Sequence, residues 1–293
     1  MAVEEKRSGI ISRLDMRRPT MKMLYIFLFL VILLISIVCF LPPLWIIVRS
    51  LEPAREFYSV KPSFLPQRLD WRKVQSVWSD ANFLRLYLNS AIVTFGSLFT
   101  AVLFSALLGF VLSRLKPVGS KLIFTIIIWT LMVPTTTAMV PVYENIVKFP
   151  LLGVNLINSY VPLWLLAGAN PFFVIVFKSF FDGIPMDLLE AAQLDGCSSI
   201  GLFTRIMLPL SRPVIFTISI FSIIGSWSDF FWPYLVLQNS NLQTVMVGVF
   251  NLSGLPSDQQ FVALTLAMLP MIIVFLILQK YIMGGLTIGG IKG

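Results

Sequence analysis

The sequence has no histidine and only two cysteines, Cys39 and Cys197, in 293 residues. Histidine is the commonest general base and metal ligand, so its absence excludes Ser-His-Asp and Cys-His nucleophilic sites. One cysteine lies in an apolar run and the other in a polar segment. They make neither a disulfide framework nor a zinc site, and both read as packing residues. No G-x-x-x-x-G-K-[ST] occurs, so no loop is available to cradle nucleotide phosphates. Leu252-Ser253-Gly254 reads as an ordinary turn. No paired carboxylates suggest acid–base chemistry, and an enzyme is not expected. Charge is scarce as well. Only 12% of residues are charged, against 57% hydrophobic, about half the charged share of a soluble domain. The net charge of +8 is what basic flanks of membrane spans produce, and it does not point to nucleic acid.

What is abundant is apolar chain in long runs. Six are predicted to be membrane spans, at 23–48, 90–115, 122–143, 156–180, 213–237 and 261–283. Each has about 20 residues or more, enough to cross ~30 Å of hydrocarbon. The expected fold is all-α, a polytopic membrane protein of six transmembrane helices. Residues 1–22 form a basic tail, followed by a transmembrane domain over 23–293 that includes an outer loop at 49–88 and an inner polar loop at 182–209. The first run is too long for a signal-peptide core and no small-residue cleavage site follows it, so it reads as an anchor. Leu41-Pro42-Pro43 should kink or end that helix. In the outer loop Trp71, Val74 and Trp78 recur at helical spacing and predict a short amphipathic helix. Pro134 and Pro141 bracket three threonines, which predicts an irregular third span, and Asn170-Pro171 falls inside the fourth. With both termini inside, 14 of the 22 Lys and Arg lie on inner segments, which favours a cytoplasmic N-terminus.

The inner loop carries the most specific pattern: Glu190-Ala191-Ala192-Gln193-Leu194-Asp195-Gly196, then Ile206, Leu208 and Pro209. It predicts a short helix, a turn and a second short helix. Pro185 suits the first helical position. Leu188, Leu189, Ala192 and Leu194 offer an apolar side, and Asp187, Glu190 and Gln193 a polar one. Gly196 suits the left-handed residue that ends a helix, Ser198 or Ser199 suits the next cap, and Pro209 should stop the second helix.

The fifth span holds a second unusual group. Asp229 stands between Trp227-Ser228 and Phe230 in an otherwise oily run. A carboxylate at bilayer centre costs roughly 2.5–3.5 kcal/mol, so it should face the bundle interior or water. A continuous helix would put Gly225, Ser226, Trp232 and Pro233 on its face. Asn170 and Thr136 are the other mid-depth polar groups.

Together these segments resemble one family. Met132-Val133-Pro134 with Pro141-Val142-Tyr143, the run from Phe177 to Gly196, Trp227-Ser228-Asp229-Phe230-Phe231-Trp232-Pro233, and Gly284-Gly285-Leu286-Thr287-Ile288-Gly289-Gly290 are similar to the carbohydrate-uptake permeases of ATP-binding-cassette importers, in particular the smaller permease subunit of maltose-type systems. Ser228 stands where family members more often have Asn. The resemblance implies a subunit of the bacterial cytoplasmic (inner) membrane with both termini cytoplasmic. It implies a heterodimer with a second permease subunit, two copies of a cytoplasmic ATPase and an extracytoplasmic solute-binding protein. It also implies that Glu190, Ala191, Ala192, Asp195, Gly196, Leu208 and Pro209 couple to the ATPase, and that ATP and Mg sit on that ATPase, with no cofactor on this chain. Asp229, Trp227, Trp232, Asn170 and Thr136 are then the expected substrate path. The expected solute is a sugar or oligosaccharide, an acidic one of the alginate type included. Glycerol phosphate is the alternative within the family. An ATPase-independent secondary transporter is the alternative outside it, although no internal repeat or set of intramembrane charges favours one.

Overall fold

The chain is described by a computed structural model covering residues 19–59 and 65–288. No strand occurs among the described residues. α1 (Pro19–Ser50) and the single turn α2 (Ala54–Phe57) precede α3 (Trp71–Asp80) and α4 (Phe83–Phe110), which runs into a π-helical turn at Val111–Leu115. α5 (Ser120–Thr130), a 3-10 turn (Thr135–Ala138) and α6 (Met139–Val147) follow, then α7 (Val161–Gly168) and α8 (Pro171–Asp182). The polar inner loop contains α9 (Met186–Leu194), α10 (Ser199–Gly201), a second π-helical turn (Leu202–Met207) and α11 (Leu208–Leu210). α12 (Arg212–Ser228), α13 (Phe231–Val236), α14 (Val245–Asn251) and α15 (Ser257–Ile288) complete the chain.

Three helices, Pro19–Ser50, Phe83–Leu115 and Ser257–Gln279, are long and apolar enough to cross a membrane. Three bent pairs bring the number to six if each pair is one span. The bends are 103° between Ser120–Thr130 and Thr135–Val147, 42° between Val161–Gly168 and Pro171–Asp182, and 75° between Ser199–Leu210 and Arg212–Ser228.

Several local expectations need correction. Leu41-Pro42-Pro43 does not end the first helix, because both prolines lie inside α1, which continues to Ser50. Ending a helix in hydrocarbon would strand more backbone groups, at several kcal/mol each, than two prolines remove. Of the basic tail, residues 1–18 lie outside the described residues, and α1 already begins at Pro19. The fifth span is not one helix over 213–237, because α12 stops at Ser228 and Asp229 is extended (φ −69°, ψ 122°). Cys39 is exposed rather than packed.

The chain divides into two compact units. The smaller comprises residues up to 74 with 257–262. At its centre the Phe57 ring lies under the Arg49 guanidinium at 4.5 Å, with the Lys73 ammonium at 5.8 Å. Arg49 pairs with Glu52. Lys73 Nζ donates to the Glu52 carbonyl at 2.6 Å and lies 3.6 Å from Asp258, which also accepts from Tyr58 Oη at 3.3 Å. Arg49, Glu52, Lys73 and Asp258 are all buried. Burial pushes the Glu52 carboxyl above its ordinary range against the opposing pull of Arg49. Burial likewise pulls the Lys73 ammonium down against the pull of Asp258.

The larger unit, 75–256 with 263–293, is built around α4. One face of α4 carries Asn89, Ser90, Val93, Thr94, Ser97, Ala101, Ser105 and Gly109, all buried. They recur every three or four residues, so small side chains line a single stripe and let neighbouring backbones approach. Asn89 Nδ2 donates to the carbonyls of Asn241 and Gln243, and Ser90 Oγ accepts from Val245 N at 2.8 Å. These bonds pin the segment that enters α14, a helix with no clear period in the sequence. Farther along, Phe110, Phe173, Phe177, Phe181, Leu189, Leu202, Phe203, Met207 and Ile218 belong to one buried apolar cluster.

Candidate functional site

Two features of the larger unit invite a functional reading: a polar cavity and the segment that carries α9.

The cavity has a volume of ≈330 Å³. α4 contributes Val93 and Ser97, α7 contributes Leu163, Leu166 and Ala167, and Asn170 and Phe173 come from the start of α8. α12 contributes Phe221, Ser222, Gly225, Ser226 and Ser228, followed by Asp229 and Trp232. Two of the helix breaks meet here. At the first, Asn170 Oδ1 accepts from Phe172 N at 3.0 Å and from Phe173 N at 3.4 Å, capping α8. At the second, Asp229 Oδ1 accepts from Trp232 N at 3.4 Å and so caps the short α13. Broken helices at membrane depth survive where they line a cavity or are covered by protein. A larger cavity of ≈460 Å³ is lined by Phe95, Leu98, Phe99, Val102, Leu103, Ala106, Phe203, Leu208, Ile215 and Ser219. It offers a ligand one hydroxyl and no charge.

The structure brings together Asn170, Asp229 and Trp232 of the five expected path residues. Trp227 is buried elsewhere, its Nε1 donating to the Ala267 carbonyl at 3.4 Å. Thr136 sits exposed in the 3-10 turn between α5 and α6 and does not line the cavity. Gly225 and Ser226 reach the cavity, but Pro233 does not, because the break at Asp229 ends the helical register on which that expectation rested. Ser97, Ser222 and Phe173 were not expected. The small-residue stripe of α4 was the signal that could have found Ser97.

The second feature begins at Pro185, which is the N-cap of α9 rather than its first helical residue. α9 ends in a Schellman arrangement. Gly196 N donates to the Gln193 carbonyl at 2.9 Å and Cys197 N to the Ala192 carbonyl at 3.0 Å. Gly196 is left-handed, with φ +79°. Ser198 Oγ then accepts from Gly201 N at 3.2 Å, capping the next helix. Only part of the expected apolar side faces this chain. Leu189 is buried, and Ala192 and Cys197 pack partly against the apolar cluster. Leu188, Leu194 and Ile200 are exposed at 47%, 89% and 76%. One layer of core covers only a narrow stripe of so short a helix, and the rest stays open together with Glu190, Ala191 and Asp195. Pro209 does not stop the second helix. It lies within α11, directly after the π turn, and the break comes at Ser211. There Ser211 N donates to both Met207 O and Leu208 O. Such a shared bond leaves the next turn free to bend, and Pro213, in the first turn of α12, has no N–H to lose.

Residues 101–287 match the model of the family described as "Binding-protein-dependent transport system inner membrane component". The chain belongs to this family. Among its relatives is the arabinooligosaccharides transport system permease protein AraQ of Bacillus subtilis (strain 168), 31% identical over 94% of this chain and 98% of that protein. Another is the diacetylchitobiose uptake system permease protein NgcG of Streptomyces coelicolor, 29% identical over 88% of this chain and 86% of that protein. A solved chain of a bacterial ABC transporter involved in the import of the acidic polysaccharide alginate superposes with a TM-score of 0.80. It is 20% identical, with 94% of this chain and 99% of that chain covered, and shows the same fold. Members of the family are inner-membrane permease components of transport systems rather than enzymes, and the all-helical architecture with its broken spans is the permease fold.

Proposed function

We propose that this chain is one of two permease subunits in an ATP-driven, binding-protein-dependent importer, and that it forms half of the path for a sugar or oligosaccharide. The observation that carries the reading is the open face of α9, with Glu190 and Ala191 outward, on a chain of this family. Two copies of a cytoplasmic ATPase, holding ATP and Mg, would dock on that face, with Asp195, Gly196, Leu208 and Pro209 shaping it. An extracytoplasmic solute-binding protein would deliver the solute from the other side. Nucleotide shifts the permease only if the ATPase pair binds its two states unequally, so the docking face must move with ATPase closure. The chain would sit in a bacterial cytoplasmic membrane with both termini inside.

The cavity supports a polyhydroxylated solute. Its polar lining consists of serine hydroxyls, the Asn170 amide, the Asp229 carboxylate and the Trp232 indole, and aromatic faces suit sugar rings. No lysine or arginine lines it, which disfavours glycerol phosphate. The charges of an alginate-type oligosaccharide would have to be met by the second permease. AraQ and NgcG are named for arabinooligosaccharides and diacetylchitobiose, in line with this choice.

Purification of the tagged chain in mild detergent tests the assembly: a second permease and an ATPase should be recovered with it, and recovery of neither overturns the reading. In the same complex Asp229→Asn should alter uptake rate or solute preference in vesicles, while yield and basal ATP hydrolysis hold. Unaltered uptake would remove Asp229 from the path and leave it as the cap of α13. Orientation has its own test. In a Cys39→Ser background, a membrane-impermeant thiol reagent should label Cys197 in inside-out vesicles and leave it unlabelled in right-side-out ones. The reverse pattern would invert the topology.

A further inference from the structure

The corner between α8 and α9 is held by a side chain from a third element. The π turn at Val111–Leu115 closes with Lys116 N donating to the Val111 carbonyl at 2.9 Å. It carries two polar residues to the corner. The Arg114 guanidinium donates to the carbonyl of Phe181, at the end of α8, and to that of Ile184 at 2.6 Å, just before α9. It also lies 3.3 Å from Met186 Sδ, in the first turn of α9. Ser113 Oγ donates to Asp182 Oδ1 at 2.6 Å, and Lys178 Nζ donates to Asp182 Oδ2 at 2.6 Å. The carbonyl end of a helix attracts a cation, and here one guanidinium nitrogen, Nη2, donates to both the Phe181 and the Ile184 carbonyl. A single side chain therefore ties the end of α4, the end of α8 and the start of α9. The middle of α4 and the far end of α8 wall the polar cavity through Ser97, Asn170 and Phe173.

We propose that Arg114 is the positioning residue of the coupling segment: it makes α9 and the cavity-lining helices α4 and α8 move as one body, so that displacement of α9 reaches the cavity. This inference rests on the reading of α9 as the ATPase-docking helix. Without Arg114 the corner is held only by the short backbone 183–185 and by the non-directional apolar contacts of Ile184 and Leu189 with the cluster, and α9 could follow the ATPase while α4 and α8 lag behind.

The test uses the whole reconstituted importer and measures transport and ATP hydrolysis with increasing solute-loaded binding protein. Arg114→Ala should keep the ATPase bound and its basal rate unaltered. Its stimulated maximum and its transport should fall by at least about fivefold, at the low end of measured coupling factors. The half-saturating concentration of binding protein should not change. Arg114→Lys should recover part of the loss, and Ser113→Ala, which removes only the bond to Asp182, should lose less than Arg114→Ala. Full transport by Arg114→Ala overturns the proposal. So does loss of the ATPase from both Arg114→Ala and Arg114→Lys, which would make Arg114 a support of the docking face only. Glu190→Ala and Ala191→Trp run in parallel. If they also transport normally, the docking assignment itself has failed. If they are impaired while Arg114→Ala is normal, only the role of Arg114 has failed.

Discussion

Ala191→Trp is expected to reduce transport by about 5- to 150-fold while the chain still inserts and still binds its partner permease. The adjacent alanines of α9 differ in burial: Ala192 packs partly on the apolar cluster and Ala191 is exposed. An indole at 191 therefore meets nothing in this chain and clashes only with whatever covers α9. Overpacking a formed contact costs ~1–3 kcal/mol, which corresponds to that range of rate. Ala192→Trp is the informative contrast, because there the indole is driven into this chain's own core and inserted protein should be lost. Gly196→Val should damage the same segment by another route, since a β-branched residue at φ +79° is strained by about 1–2 kcal/mol. Uptake into vesicles, normalised to inserted protein, is the measurement. Normal uptake by Ala191→Trp would mean that nothing docks there.

Gly109→Val should be strongly destabilising. A Cβ built at Gly109 would lie 2.8 Å from Phe177 Cβ and 3.0 Å from Lys178 N. Neither can withdraw by a rotamer change, because one is the root of a fully buried side chain and the other is backbone. α4 and α8 would have to separate along the stretch that sets the α8–α9 corner, at a cost of about 3 kcal/mol or more. The readout is the fraction of complex that stays monodisperse in detergent after a heat step. Gly225→Ala provides the opposite sign. Nothing lies within 4 Å of its added Cβ, and replacing glycine in a helix by alanine gains up to ~1 kcal/mol. If Gly109→Val withstands heating as well as Gly225→Ala, the close approach of α4 to α8 is not there.

The sequence conveyed the architecture well because its signals were local. An apolar run of span length, the left-handed Gly196 and the cap at Ser198 each depend on a few neighbouring residues. Pro209 and Pro42-Pro43 misled for the converse reason. Proline states what its own N–H cannot do, while continuation of the helix is decided by the cost of stranding other groups in hydrocarbon. The break at Asp229 was legible in principle, since an aspartate that can cap, with Pro233 four residues on, is a helix start written inside an apolar run. The tie of Arg114 to the carbonyl of Ile184 had no such trace. The two residues lie 70 positions apart, and an arginine at the end of a span reads simply as a basic flank.

The buried quartet of the smaller unit has a consequence for synthesis. Tyr58 and Asp258 are 200 residues apart, and Lys73 finds its carboxylate on the same late segment. At about 5–20 residues per second, a growing chain spends roughly 10–40 s with Lys73 made and Asp258 not yet made. During that interval the site beside Phe57 holds its lysine and arginine with Glu52 and Asp70 near them but without Asp258. This unit therefore cannot close in the order in which it is made, and must wait for nearly the whole polypeptide. Its completion amounts to a checkpoint on chain length: a product that terminates before α15 lacks the Asp258 carboxylate that lies beside Lys73 in the full-length chain.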